Sequence, residues 1–179
     1  MNELKIRNFP RSLPRALESV ARLAPGYLGY ASKHDRRDED KRLRAQVERC
    51  LREASQDLHR AVRTLAFDGV PPGLTRMGAL VRRFDHLIED VAHAAYGYPG
   101  FFEPVRVDER RLELLYRGDI ALAEAIQGVT VEVRAWIANP GLEVATGESL
   151  VNVETALDLA EGAWRARRDM LAETLQHEG

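Results

Sequence analysis

The chain has 179 residues, of which 45% are hydrophobic, and this is enough for one globular domain spanning residues 1–179. Its formal net charge of −2 provides no positive field to attract nucleic acid or an anionic membrane, so we expect no nucleic-acid partner. The sequence has one cysteine, no apolar window of about 18 residues and no apolar leader in residues 1–11, which we assign as an N-terminal extension. A cytoplasmic protein that is not membrane-embedded is therefore expected.

Helix start and stop signals favour an all-α fold, and alternating apolar patterns are too short to support a sheet. The first predicted helix begins at Ser12 and runs toward residue 33, with an interruption at Pro25 and Gly26. The charged run HDRRDEDKR is predicted to form the turn after the first helix, and the second helix then continues to about Phe67. Its apolar residues alternate spacings of four and three, as in a bundle helix: Val47, Leu51, Ala54, Leu58, Ala61 and Leu65.

Three more helices are predicted in the rest of the chain. The third ends near Gly97, the fourth is capped by Asp108 and the fifth by Thr146. The fifth has the apolar stripe Leu150, Val153, Leu157, Ala160, Trp164 and Leu171. Long helices with short connections predict an antiparallel bundle of about five helices, with Phe101 and Phe102 closing one end.

Three of the predicted helices each carry two carboxylates four residues apart, directly beside the apolar stripe. The pairs are Glu53 and Asp57, Asp85 and Glu89, and Glu154 and Asp158. Two side chains at this spacing lie on one helix face, and pairs from adjacent helices can together surround a cation. The alternative is a wet surface on which these acids form salt bridges with neighbouring arginines such as Arg49, Arg52 and Arg60.

The first two pairs, within EASQD and FDHLIED, resemble motifs of the PhoU-like phosphate-transport regulators, especially the accessory proteins of Pit-type phosphate transporters. Those proteins carry ExxxD followed by an aliphatic-D-x-I-x-D segment, and here Glu89 replaces the second aspartate, with Asp90 adjacent. ETALD, at Glu154 and Asp158, is similar to the first motif of a second copy. The helix with the matching second motif is missing after the fifth predicted helix.

The resemblance implies a cytoplasmic PhoU-like bundle that regulates phosphate uptake through contact with a phosphate transporter or regulatory protein. It also implies metal binding without catalysis, through Glu53, Asp57, Asp85, Glu89, Glu154 and Asp158, with iron, zinc, magnesium and manganese all open as the ion. A chain that lacks the sixth helix is expected to leave an apolar face uncovered. We therefore predict a homo-oligomer, with the fifth helix as the candidate interface.

Two other functions stay open on the sequence: a carboxylate-metal enzyme acting on phosphorylated small molecules, and a plain helical interaction scaffold. The five histidines make no ligand set typical of di-iron bundles, and no HExxH, GxxxxGK[ST] or GxSxG motif occurs. The basic cluster Arg165, Arg167 and Arg168 is predicted to be a solvated face, and Cys50 a small buried hydrophobe.

Overall fold

The computed structural model describes residues 17–27, 29–30, 33–67, 73–94, 109–138 and 148–176. These ranges contain five α-helices: α1 (Leu17–Leu23), α2 (Lys33–Phe67), α3 (Leu74–His93), α4 (Glu109–Ala138) and α5 (Glu148–Gln176). No strand occurs in them. The predicted all-α antiparallel bundle of about five helices is confirmed, while its PhoU-like character stays a prediction.

The core forms where the apolar stripes of the helices meet. α4 packs most extensively against α5, α2 packs against both α3 and α4, and α1 lies mainly on α4. The predicted stripe of α5 is buried throughout: Leu150, Val153, Leu157, Ala160, Trp164 and Leu171. The two tryptophans of the chain, Trp136 and Trp164, are among its largest fully buried side chains. Removing this apolar surface from water is the main term that holds the bundle together.

The predicted interruption at Pro25 and Gly26 is confirmed, because α1 ends at Leu23 and a turn follows. Gly26 has a φ of 84°, a left-handed conformation that glycine adopts without strain. The Tyr27 N–H donates to the Ala24 carbonyl at 3.0 Å, and the Arg42 Nη1 donates to the Gly26 carbonyl at 2.8 Å. The second of these bonds ties the turn to α2, which contains Arg42.

Helix boundaries differ modestly from the prediction. α2 already begins at Lys33, and α3 ends at His93, before Gly97. The predicted caps Asp108 and Thr146, as well as Phe101 and Phe102, lie outside the described residues. Among the helices that the structure does describe, none combines the length and apolarity needed to cross a bilayer.

Candidate functional site

The predicted carboxylate pair of α2 lies on the outside of the bundle. Glu53 is exposed and accepts a hydrogen bond from Arg49 Nε at 3.0 Å. Asp57 is partly exposed and forms an ion pair with Arg60, one turn further along. The contacts of this pair are therefore those of the salt-bridge alternative.

The pair of α3 is also exposed, but one of its members contacts the neighbouring helix. Asp85 Oδ1 accepts a 3.4 Å hydrogen bond from Ser55 Oγ of α2, and Glu89 lies 3.2 Å from Nδ1 of His93. Ser55 occurs between Glu53 and Asp57 in the sequence. The two helices that carry the motifs are thus in contact at the level of the motifs.

The acids of α5 instead tie that helix to α3. Glu154 accepts from Arg76 Nε at 2.7 Å, and Asp158 forms an ion pair with Arg83. Arg83 also lies 3.0 Å from Glu161. Such pairs hold two helices at a fixed separation, although exposure to solvent weakens each of them.

The three predicted pairs each lie against their own partners rather than in one cluster. Across the ranges given above, no three His, Cys, Asp or Glu side chains are close enough together to hold a metal ion. Each predicted ligand has an arginine, histidine or serine neighbour. Metal binding therefore stays a prediction. Two of the helices that carry the acids are adjacent, but the described residues form no ligand set.

A different charged cluster occupies the interior, and one prediction was wrong there. Arg167 is not on a solvated face: only 1% of its surface is exposed. Its Nε donates to Asp119 Oδ1 at 2.6 Å, and its Nη2 donates to Asp40 Oδ1 at 2.9 Å. Three helices, α2, α4 and α5, therefore meet at one buried guanidinium.

Two tyrosines from the turn after α1 complete this cluster. The hydroxyls of Tyr27 and Tyr30 both donate to Asp119 Oδ2 at 2.6 Å, and Tyr30 also accepts from Arg167 Nη2 at 3.1 Å. The backbone N–H of Tyr30 donates to the Tyr116 hydroxyl at 2.8 Å. We call Tyr27, Tyr30, Asp40, Asp119 and Arg167 the buried network.

Burial and charge shift the pKa values of this network. Burial, and then the negative charge of Asp119, raise the pKa of both Tyr27 and Tyr30 well above the usual value. Burial alone would lower the pKa of Arg167, but the interactions with Asp119, Tyr30 and Asp40 together outweigh it and the pKa is raised. The tyrosines consequently stay neutral donors, and the arginine stays a cation.

The network is suited to hold α2, α4 and α5 in one relative position. Asp119 accepts three hydrogen bonds, from Arg167, Tyr27 and Tyr30, which compensates the desolvation of its charge. Asp40 is shared by Arg167 and by Arg44, whose Nε donates to Oδ2 at 2.8 Å. A buried charge that loses its partner is costly, so this arrangement selects one alignment of α2, α4 and α5.

The sequence contains a signal for the network. Arg167 fills the position between Trp164 and Leu171 that continues the three-four spacing of the α5 stripe. Asp119 likewise falls between the buried residues Tyr116 and Ala123 of α4. A charged residue at a stripe position predicts a buried partner of opposite sign. The identity of that partner depends on tertiary packing.

A small enclosed cavity lies beside the network. Its volume is about 10 Å³, and its lining includes Asp40, Arg44, Ala94, Trp164, Arg167 and Arg168. Within the described part of the chain, Trp164 Nε1 and Arg167 Nη1 are buried without any hydrogen-bond partner. Buried donors in native proteins almost always have a partner, and the described residues supply none for these two.

Comparisons with known proteins do not assign the chain to a family. No protein-family model matches the chain, and searches of curated proteins and of solved structures found no match either. Membership of the PhoU-like family therefore stays a prediction.

Proposed function

We propose that this protein is a non-catalytic helical scaffold that acts through protein contacts and associates with a second copy through the outward face of α4. The observation that carries the proposal is an apolar seam on a face that the bundle does not cover. Leu114 is 45% exposed and Val131 is 60% exposed on this face. A helix with apolar residues on two faces is suited to pack on both.

The outer seam runs along the described length of α4. Its members alternate spacings of three and four and are exposed or partly exposed: Leu114, Arg117, Ala121, Glu124, Gly128, Val131, Ala135 and Ala138. Only Arg117 and Glu124 are charged. A Cβ added at Gly128 would meet nothing within 4 Å, so open space lies above the helix there. Small residues allow another helix to approach closely, and the alternating spacing is that of a helix-packing seam.

Charge complementarity favours a second copy as the occupant. If two α4 helices pair antiparallel about a two-fold axis at Ala121, Arg117 of each copy comes opposite Glu124 of the other. The same register places Leu114 opposite Gly128, which leaves room for its side chain. Arg117 lies 2.7 Å from Glu113 in its own helix, but exposed pairs of this kind exchange partners at little cost.

Sedimentation velocity tests this assembly directly. The wild-type chain is expected to sediment as a dimer, and Ala121→Arg as a monomer, because two arginines would meet at the axis. Leu159→Arg, at a 65% exposed position on α5, tests the interface predicted from the sequence and should remain dimeric if α4 is the interface. A monomeric wild type, or loss of the dimer only in Leu159→Arg, would contradict the α4 interface.

A charge exchange tests the register. Arg117→Glu should weaken the dimer because like charges then face each other, whereas Arg117→Glu combined with Glu124→Arg should restore it. If the double variant dissociates more readily than the single variant, the antiparallel register is wrong even if α4 is the interface.

We propose further that this scaffold regulates phosphate transport. The resemblance of its motifs to those of PhoU-like proteins supports this function. A scaffold that regulates a transporter should change uptake without chemistry of its own. We expect phosphate uptake by cells that lack the chain to differ from uptake by cells that contain it. Turnover of generic phosphate esters with Mg²⁺ or Mn²⁺ by the purified protein would instead favour the enzyme alternative.

Metal binding is a second candidate, and the contact between Ser55 and Asp85 is the observation that favours it. This contact brings the helices of the two motifs together. To bind a metal, Glu53, Asp57 and Glu89 would have to leave their present partners Arg49, Arg60 and His93. Elemental analysis of the isolated protein should find metal that is lost in Glu53→Ala/Asp57→Ala. Equal metal content in the two proteins would count against the site.

A further inference from the structure

We infer that the protein binds an oxyanion, a phosphate or carboxylate group, where the cavity at Trp164 meets the groove between α3 and α5. The inference rests on Trp164 and Arg167, which both line the cavity and whose Nε1 and Nη1 donors are buried without a described partner. Leaving such N–H groups unpaired is costly, so an acceptor that is not part of the described chain is needed.

The balance of donors and acceptors favours an anion over water. Both oxygens of Asp40, the carboxylate that lines the cavity, already accept hydrogen bonds, from Arg167 and from Arg44. Each unpartnered N–H group needs an acceptor, and an anion oxygen can accept from both without bringing donors that need acceptors of their own. The cavity lining contains three arginines, Arg44, Arg167 and Arg168, and one carboxylate, Asp40, while Asp119 pairs with Arg167 from outside it. The adjoining groove also contains the carboxylates Asp90 and Glu161.

The dimensions show how such a group would enter. A cavity of about 10 Å³ holds one atom the size of a water oxygen, so a whole phosphate or carboxylate cannot fit inside it. A groove of about 370 Å³ between α3 and α5 shares Trp164 and Arg168 with the cavity. One oxygen of the anion therefore occupies the cavity, and the rest of the ligand lies in the groove.

Arg168 is the residue that links the two spaces. It is partly exposed and makes no hydrogen bond or ion pair with any residue that the structure describes. Arg83, in the same groove, is already paired with Asp158 and Glu161. A guanidinium is suited to bind the remaining oxygens of a phosphate or carboxylate in a bidentate manner.

Isothermal titration of the full chain tests the site with inorganic phosphate and with acetate, against sodium chloride at equal ionic strength. We expect saturable binding of phosphate, acetate or both, and the stronger of the two identifies the ligand class. Trp164→Phe removes the indole N–H but keeps an aromatic ring, and Arg168→Gln removes the linking charge. Each change should weaken binding by about tenfold or more, the effect of losing a charge-assisted hydrogen bond.

Arg52→Gln is the control, because Arg52 is an exposed arginine of α2 that lines neither the groove nor the cavity. It should change the affinity by less than the other two substitutions. Failure of both oxyanions to bind the folded wild type, or binding that chloride matches, would overturn the inference. It would also be overturned by affinities in Trp164→Phe and Arg168→Gln that equal the wild-type value. None of these results bears on the α4 dimer.

Discussion

Asp119 accepts three buried hydrogen bonds, and its replacement tests the network. Asp119→Ala leaves Arg167 as a buried cation that keeps only Asp40 as a counterion. We expect the free energy of unfolding to fall by about 3–5 kcal/mol, the range found when one partner of a buried ion pair is removed. Urea denaturation followed by circular dichroism measures the change.

A double variant separates the interaction from general damage to the core. In Asp119→Ala/Arg167→Met the unpaired cation is gone, so the combined loss should be smaller than the sum of the two single losses by about 1–3 kcal/mol. Glu53→Ala, which breaks the exposed pair with Arg49, is the surface control and should leave the unfolding midpoint unchanged. Additive losses would show that Asp119 and Arg167 are not coupled.

The two buried tyrosines predict a loss of stability in alkali. Their pKa values are raised in the folded state, so the unfolded chain releases these protons first, from about pH 10 upward. The stabilisation is therefore complete below pH 10, and each tyrosine should remove up to about 1.4 kcal/mol per pH unit above it. Unfolding at several pH values should give about half the wild-type slope in Tyr27→Phe. An unchanged slope would contradict the assignment.

At the level of the elements, the turn after α1 is the point where glycine is required. A Cβ at position 26 would lie 2.6 Å from Arg42 Nη1, and the φ of 84° disfavours any other residue. Gly26→Ala should therefore destabilise the fold by about 1–2 kcal/mol. Gly162→Ala, inside α5 with no atom within 4 Å of the added Cβ, should instead stabilise it by up to about 1 kcal/mol. Thermal unfolding of both variants checks the contrast.

The helices could largely be predicted from the sequence, whereas the candidate site could not. Regular stripes such as that of α5 specify which face is buried, because helical period and apolarity are local properties. The approach of Arg167 to Asp40 joins residues 127 positions apart, and no local pattern specifies such a pair. The spacing of Glu53 and Asp57 correctly placed both on one helix face. It could not show that nearby arginines would pair with them.

On the scale of the whole molecule, the two ends of the bundle are held together differently. The buried network ties α2, α4 and α5 at one end, whereas Phe67, at the far end of α2, is 92% exposed. Hydrogen exchange should therefore be slowest for backbone amides around Asp119 and faster near the end of α2. Asp119→Ala should remove most of this difference. Uniform protection of the backbone amides along α2 in the wild type would contradict the predicted difference between the two ends.

The order of residues in the buried network has a consequence during synthesis. Asp40 and Asp119 leave the ribosome before Arg167, so a nascent chain that ends before α5 holds both carboxylates without the guanidinium they share. Bringing them together in an apolar interior is unfavourable until that cation arrives. We therefore expect the earlier helices to close around these carboxylates only when α5 docks.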